Sequence, residues 1–504
     1  MADYVVPTTY ADITAALAQI VADGAGGNNG RVRIDSGASY TNQVMHLASA
    51  RTGVQIYNNT GGDVAVTLAA TSYIECGAGW SCASADTHKI AFSGGTGGAP
   101  LIRAFNKVAG TWADCTFSRP TGGLPVKVDA TSASAGIALL RVDTTAQSGD
   151  TNPANTANVT VTGSGNSATL TADNCTFTNG AAGVYVTAGA AARTGTVTVR
   201  RCAMVDVDKG IYYLGKQSGG LDARFNLIYG AGSLNQEGID YDPDAGYTPT
   251  VTLYRNTIDV VNEAIKATAV HSNTNAAIKG NWGDTVEVPA GSDWDYNGYQ
   301  SITGAPGAND VATGADPGFT NMAGNSYTLA QGSALIDAGY DTGDGTDYAG
   351  DTTPSGLAAD IGAYEYQAND CGFDSAEPTD SLTVTATFSA SPTGSQKPDQ
   401  ASAETATNWG VAATPADATL CIIKATKAAD YVYTLRLNHR PTPGASVELD
   451  STSIATDAGG LCDDPGTASF TAISDAADPT ADAPDWPIRY ATTMSGEVLD
   501  ESDF

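Results

Sequence analysis

The residues whose types and spacing could do chemistry recur at matching points of an irregular repeat. Lys209, Glu237 and Glu263 each stand just before a Gly or Ala that opens a short apolar segment. Those segments are Gly210-Ile211-Tyr212-Tyr213, Gly238-Ile239-Asp240-Tyr241 and Ala264-Ile265-Lys266-Ala267, with Gly183-Val184-Tyr185-Val186 one repeat earlier. Two positions after the Gly or Ala, on the outward side of an alternating strand, come Tyr185, Tyr212, Asp240 and Lys266. Stacked repeats lie about 4.8 Å apart. Glu237 and Glu263 then become neighbours, with Lys209 one coil further. Two carboxylates about 5 to 5.5 Å apart suit a retaining glycosidase, and a Lys beside acids suits a lyase base. Tyr185 and Tyr212 offer sugars an apolar platform. The plainer alternative is a solvated face on which Lys209, Glu237 and Glu263 form ordinary surface ion pairs.

Calcium is the one cofactor the loops suggest. Asp240, Asp242 and Asp244 lie in Asp-Tyr-Asp-Pro-Asp-Ala-Gly, and Asp341, Asp344, Asp347 and Asp351 in a Gly-rich stretch. Hard cations want several oxygens from a flexible loop, although turn formation is the commoner use of Asp. Asp293 to Gly298 matches half of an EF-hand loop, but Gly304 stands where its Glu is required, so it is set aside. There is no GxSxG, P-loop or dinucleotide fingerprint, and the four histidines are scattered. The eight cysteines form no zinc pattern; Cys76 with Cys82, and Cys421 with Cys462, are close enough in sequence to pair.

The elements that must position these residues follow from the repeat itself. Asp114-Cys115-Thr116-Phe117, Asn174-Cys175-Thr176-Phe177, Arg201-Cys202-Ala203-Met204, Phe225-Asn226-Leu227-Ile228, Arg255-Asn256-Thr257-Ile258 and Gly280-Asn281-Trp282 align, with Cys or Asn always second. The gap from Cys115 to Cys175 holds two repeats plus an insertion, placed at Thr144 to Ala157. Gly123, Gly183, Gly210 and Ala264 follow eight residues after the Cys or Asn, and Gly238 arrives later. An alternating strand precedes each corner, as at Leu170/Ala172, Val197/Val199, Leu221/Ala223 and Val251/Leu253. Several short strands per repeat and no helix fit one coil of a parallel β-helix, which closes its core only by stacking. The Cys/Asn column then forms an internal ladder in which Asn amides bond along the stack. Cys115, Cys175 and Cys202 are read as structural. Ile13, Leu17, Ile20 and Val21 share a helical face behind Thr9 and Asp12, so a helix should plug the open end, with Gly30 to Asp35 as first strand.

Composition agrees. Of 504 residues, 55 are acids and 24 bases, for a net charge of −31, and only 16% are charged. Gly, Thr, Asn and Asp fill the gap, and all are poor helix formers. The acidity argues against nucleic acid and anionic membrane surfaces as partners. No apolar run spans a bilayer, and the start at Met1 lacks a secretory signal, so synthesis in the cytosol is expected.

The resemblance lies in Asp316-Pro317-Gly318-Phe319, Tyr327-Thr328-Leu329, Gly332 to Gly339 and Asp360-Ile361-Gly362-Ala363-Tyr364-Glu365-Tyr366, preceded by Asp295-Tyr296-Asn297. These resemble the closing segment of choice-of-anchor Q type proteins. Residues 1–367 as a whole resemble a right-handed parallel β-helix of the pectate-lyase-like superfamily. The expected class is all-β: a helical cap (1–30), the β-helix (31–303) and its closing segment (304–367). A linker with a first strand (368–397), a small β-sandwich-like domain (398–462) and an acidic extended tail (463–504) follow. Relatives include lyases, adhesins and phage proteins, so the resemblance speaks for fold more than function. The lyase set of several calcium-binding Asp plus an Arg or Lys base does not map here. The expectation is a structural protein on a virion surface: a phage capsid decoration, fibre or tailspike-like component, with virion proteins or glycans as partners. By that resemblance it is a homotrimer. The alternatives are a polysaccharide lyase or glycosidase, and a bacterial surface adhesin.

Overall fold

The computed structural model describes residues 2–366 except 38, 71, 86–87, 95–98, 120–121, 149–151, 231–236, 261, 268–275, 289–290, 315–316, 331–332 and 355–357. Beyond them it describes 373–379, 382–388, 403–406, 409–414, 416, 419–429, 432–439, 441–442, 445–450 and 467–472. Two compact units result, Met1–Tyr366 and Gln367–Phe504.

The first unit is a parallel β-solenoid with three strand columns. One face is a 12-stranded parallel sheet running from Asp3–Val6 to Asp293–Asp295. Its alternating residues stack in register: Leu170, Val197, Leu221, Val251 and Ala276 point inward, and Thr171, Thr198, Asp222, Thr252 and Ala277 outward. The second column carries Phe92, Phe117, Thr144, Phe177, Met204, Ile228 and Ile258 inward. The third carries Ile102, Val126, Val159, Val184, Ile211, Ile239 and Ile265 inward. All of these apolar side chains are buried. No single coil has a second layer to bury them against, so stacking supplies the core.

The corner between the first and second columns is set by local backbone chemistry. Asp114, Arg141, Asn174, Arg201, Phe225, Arg255 and Tyr296 all take a positive φ between 49° and 59°, and Gly280 takes 69°. This left-handed turn is unfavourable for L-residues. The residue after it repays the cost. Asn226 Nδ2 donates to Asn256 Oδ1 (2.9 Å), Asn256 Nδ2 to Asn281 Oδ1 (2.8 Å), and Asn281 Nδ2 to Asn297 Oδ1 (3.0 Å). The same oxygens accept the backbone N–H of Asn226, Asn256 and Asn281, and Asp310 accepts that of Asn297. At the other end Asn226 Oδ1 accepts from Cys202 N. Cys115, Cys175 and Cys202 occupy earlier steps of the column and are buried.

Several sequence expectations shift. The step missing between Cys115 and Cys175 is Arg141-Val142, whose strand Asp143–Thr145 pairs with both neighbours. The insertion follows that strand and includes the short helix Pro153–Thr156. Gly123 is not the equivalent of Gly183, because Val126 is the residue that aligns through Val159 with Val184. The first strand is Asp3–Val6, ahead of the helix, and it pairs with Arg31–Ile34. The helix Ile13–Ala22 starts at Asp12, whose carboxylate accepts from Ala15 N at 2.8 Å. It buries Ile13, Ala16, Leu17 and Ile20, while Val21 is exposed.

The last coil ends at Val311–Ala312, and the chain then turns back over the second face. Phe319, Tyr327, Leu329, Leu335, Ile361 and Ala363 share one apolar cluster with Leu227 and Trp282 of the coils. Phe319 meets the Trp282 ring edge-on at 4.8 Å. Arg255 and Glu365 form a wholly buried ion pair across this seam, and Arg224 holds Asp344. Of the residues that carry the resemblance, Asp316 and Gly332 lie outside the described residues.

Among its described residues the second unit holds two antiparallel sheets. Phe373–Pro378, Thr383–Phe388, Val432–Leu437 and Ile422–Ala429 make one; Gly410–Thr414, Ser446–Asp450 and Thr467–Thr471 make the other. They share a core that includes Val384, Phe388, Tyr433, Leu435, Val447, Leu449 and Phe470. Two strands depart from expectation. Phe373–Pro378 lies where a linker was read, and Thr467–Thr471 lies inside the segment read as extended tail. The rest of that acidic tail, 463–466 and 473–504, lies outside the described residues, as does Cys462.

Candidate functional site

The sequence-aligned side chains meet on the outer side of the third column. Lys209 pairs in register with Glu237, and Glu237 with Glu263; Tyr185, Tyr212, Asp240 and Lys266 run in register beside them. Gly210 and Gly238 make this possible. A Cβ on Gly238 would lie 2.2 Å from the Ile258 side chain and 2.3 Å from the Ala264 carbonyl oxygen. Glycine there lets the chain turn the corner closely enough to bring the preceding residue out beside the strand.

The upper part of the seam is apolar. Leu124, Ala157 and Ala182 form its buried floor, and the half-buried Tyr185 and Tyr212 pack on it with ring centroids 5.6 Å apart. The lower part is ionic. Lys209 Nζ donates to Glu237 and, at 2.6 Å, to Asp240 Oδ2, and it lies 4.3 Å from the Tyr212 ring centre. Lys266 Nζ donates to Glu237 Oε1 at 2.7 Å and approaches Glu263 Oε2 at 3.4 Å. Two ammonium groups thus serve three carboxylates.

Burial and pairing drive the two inner acids apart. Burial pushes Asp240 up to about 6, with the Glu237 charge adding to it and Lys209 opposing. Glu237 also feels burial, but hydrogen bonds from Lys209 and Lys266 hold it below the ordinary carboxylate range. Lys209 loses some basicity to burial and regains more from Asp240 and Glu237. Hydrogen bonding to Glu237 raises Lys266. Such a split is what an acid–base pair needs. Here, however, the ammonium groups already occupy both inner carboxylates, and Asp240 has a side-chain exposure of only 7%. The arrangement can offer rings, hydroxyl-binding groups and a nearly balanced charge to a polar ligand.

The calcium expectations meet a different geometry. Among the described residues no three His, Cys, Asp or Glu side chains come together to hold a metal. The Asp240 stretch is largely strand, Glu237–Pro243, and not a loop. An extended chain spaces Asp240 from Asp242 by roughly 6.6 Å along the strand, Asp244 lies beyond Pro243, and Asp240 is committed to Lys209. In the second set, both Asp344 oxygens accept from Arg224 Nη1. Asp347 accepts the backbone N–H of Gly350, Asp351 and Glu365, and Asp341 that of Gly343. These aspartates shape and dock the returning segment.

A second carboxylate pair was missed in the sequence. Asp259 and Asp284 stand three residues after Asn256 and Asn281, on neighbouring coils. Tyr327 OH donates to Asp259 Oδ2 at 2.8 Å and Gln300 Nε2 to Asp284 Oδ1 at 2.6 Å. Burial, and then the Asp259 charge, push Asp284 up to about 6. Tyr229 and Tyr327 flank the pair with centroids 5.3 Å apart. The repeat alignment contained this column, because position three after the ladder is a fixed outward site. Its aromatic wall comes partly from Tyr327, which no repeat predicts.

Comparison of the chain with family models, with curated proteins and with solved structures gave no match in any of the three.

Proposed function

We propose that the protein is a structural, surface-exposed β-solenoid of a bacteriophage particle, as a capsid decoration, fibre or tailspike-like component, and that its side wall contacts glycans. The observation that carries the glycan contact is the seam itself. Tyr185 and Tyr212 form an apolar wall that continues into the Lys209–Glu237–Asp240–Lys266 cluster. Tyrosine rings receive the apolar faces of sugars, and paired charged groups exchange hydrogen bonds with hydroxyls. The assignment to a phage particle rests on the resemblance of residues 1–367, and so does trimerisation.

Antibody raised against the purified chain should decorate particles in electron micrographs of a lysate of the source culture. Labelling confined to cell envelopes would favour the adhesin reading and overturn the virion one. On a glycan array, binding by the full chain should be lost in Tyr212→Ala. The split between Asp240 and Glu237 favours a second reading, a glycosidase or lyase. Release of reducing ends or unsaturated sugars from a glycan panel, abolished in Glu237→Gln, would establish that reading and displace the structural one.

A further inference from the structure

We propose that Cys82 and Cys115 are an oxidation site, a thiol pair that closes to a disulfide while the chain folds and is sealed once the coils have stacked. The two sulfurs lie 3.0 Å apart, Cys82 within the first-column strand Ser81–Ser84 and Cys115 at the start of the second-column strand Cys115–Ser118 of the next coil. The Cys115 thiol donates to Cys82 Sγ, and also lies 3.1 Å from the Ala113 carbonyl oxygen. A disulfide needs about 2.05 Å between sulfurs, so closing the pair brings the two sulfurs roughly 1 Å nearer. Sequence proximity pointed elsewhere, to Cys76 and Cys82; the coil geometry instead sets Cys82 against the thiol 33 residues later.

Burial decides when the reaction happens. Cys76, Cys82 and Cys115 are at most 1% exposed. Loss of water, and then contact with Cys82, pushes the Cys115 thiol far above its ordinary pKa. The reactive form is the thiolate, and a small-molecule disulfide must reach it. Both conditions fail in the stacked solenoid and hold before the two coils close. During folding, one protein thiolate attacks a sulfur of a small-molecule disulfide, forming a mixed disulfide and releasing one small thiolate. The second protein thiolate then displaces the other. Two protein thiols are oxidised, one small disulfide is reduced to two thiols, and the two protons pass to the released thiolates. The product joins adjacent coils across the inside of the corner.

The test uses the full chain. Refolding from denaturant in mixed oxidised and reduced glutathione, followed by alkylation and peptide mapping, should give a Cys82–Cys115 cross-link. The melting temperature should rise by roughly 5 °C over chain refolded under reductant, for a loop of this length in a unit of this size. Chain folded under reductant and only then given oxidised glutathione should remain unlinked. Cys76→Ala should keep the cross-link. Cys82→Ala should lose it while still shielding Cys115 from alkylation until denatured, which shows that it folds. Free Cys82 and Cys115 after oxidative refolding, a Cys76–Cys82 link in their place, or linkage equally fast in the folded chain would each overturn the proposal.

Discussion

Replacing Asn256 by Ala tests the internal ladder directly. The Asn256 amide donates to the Ala223 carbonyl oxygen (3.0 Å) and to Asn281 Oδ1 (2.8 Å), and accepts from Asn226 N (3.1 Å) and Asn226 Nδ2 (2.9 Å). Asn256→Ala removes all four bonds at a site with no measurable exposure. Asn226 Nδ2 keeps Val199 O as a partner, and Asn281 Oδ1 keeps Asn256 N. Asn226 N is left facing a gap. An orphaned buried donor costs about 1–3 kcal/mol, and a made hydrogen bond contributes about 0.5–1.5 kcal/mol net. The sum expected here is about 3–5 kcal/mol. For a unit of this size that lowers the melting temperature by about 5 °C, readable by calorimetry on the full chain. Thr171→Ala, an outward change on the first face, should stay within about 0.5 kcal/mol of the parent. If Asn256→Ala melts with Thr171→Ala, the ladder contributes nothing and the account of the corner is wrong.

Further expectations follow from the returning segment and the seam. Arg255→Met should destabilise by about 3–5 kcal/mol, because it strands Glu365 in a dry site, and adding Glu365→Leu should recover much of the loss; additive losses in the double variant would count against a coupled pair. Burial, and then the Glu365 charge, raise Asp360 to about 7. The folded state therefore holds this proton more tightly than the unfolded chain, so its contribution is complete below about pH 4 and is lost as pH rises through 7. Urea titrations at pH 5 and pH 8 should show Asp360→Asn gaining on the parent by a few kcal/mol at the higher pH, and a constant difference would refute it. Gly238→Ala should cost about 1–3 kcal/mol through overpacking against Ile258 and Ala264, whereas Gly61→Ala, with open space around it, should be nearly neutral in the same melt.

The legibility of this protein divides along the repeat. The ladder was readable because Asn and Cys recur at one step of a regular coil, and that step faces inward in each. Register followed from the same alignment, so the adjacency of Lys209, Glu237 and Glu263 could be placed from residue numbers. Between the second and third columns the Cys115 coil is two residues longer than the Cys175 coil, so a count of eight from Cys115 lands on Gly123 and not on Pro125, the equivalent of Gly183. Residue type alone also left the use of the aspartate-rich stretches open. Asp is common in turns, and composition does not say whether its oxygens converge or bind nearby backbone N–H groups, as those of Asp347 do.

The sequence by itself determined the all-β class, the coil period, the inward ladder and the outward seam. Each of these repeats at short range, and each copy reinforces the same pattern. The tertiary structure decided which outward residues stay outward. Leu227, Trp282 and Arg255 lie at positions that would face solvent on a bare coil, and the segment Phe319 to Tyr366 folds back and covers them. It also decided that Cys82 meets Cys115, and that Lys209 and Lys266 close on Glu237. Such contacts depend on where a distant stretch of chain comes to rest, and that is set by the burial of apolar surface over the whole unit and leaves no period in the sequence.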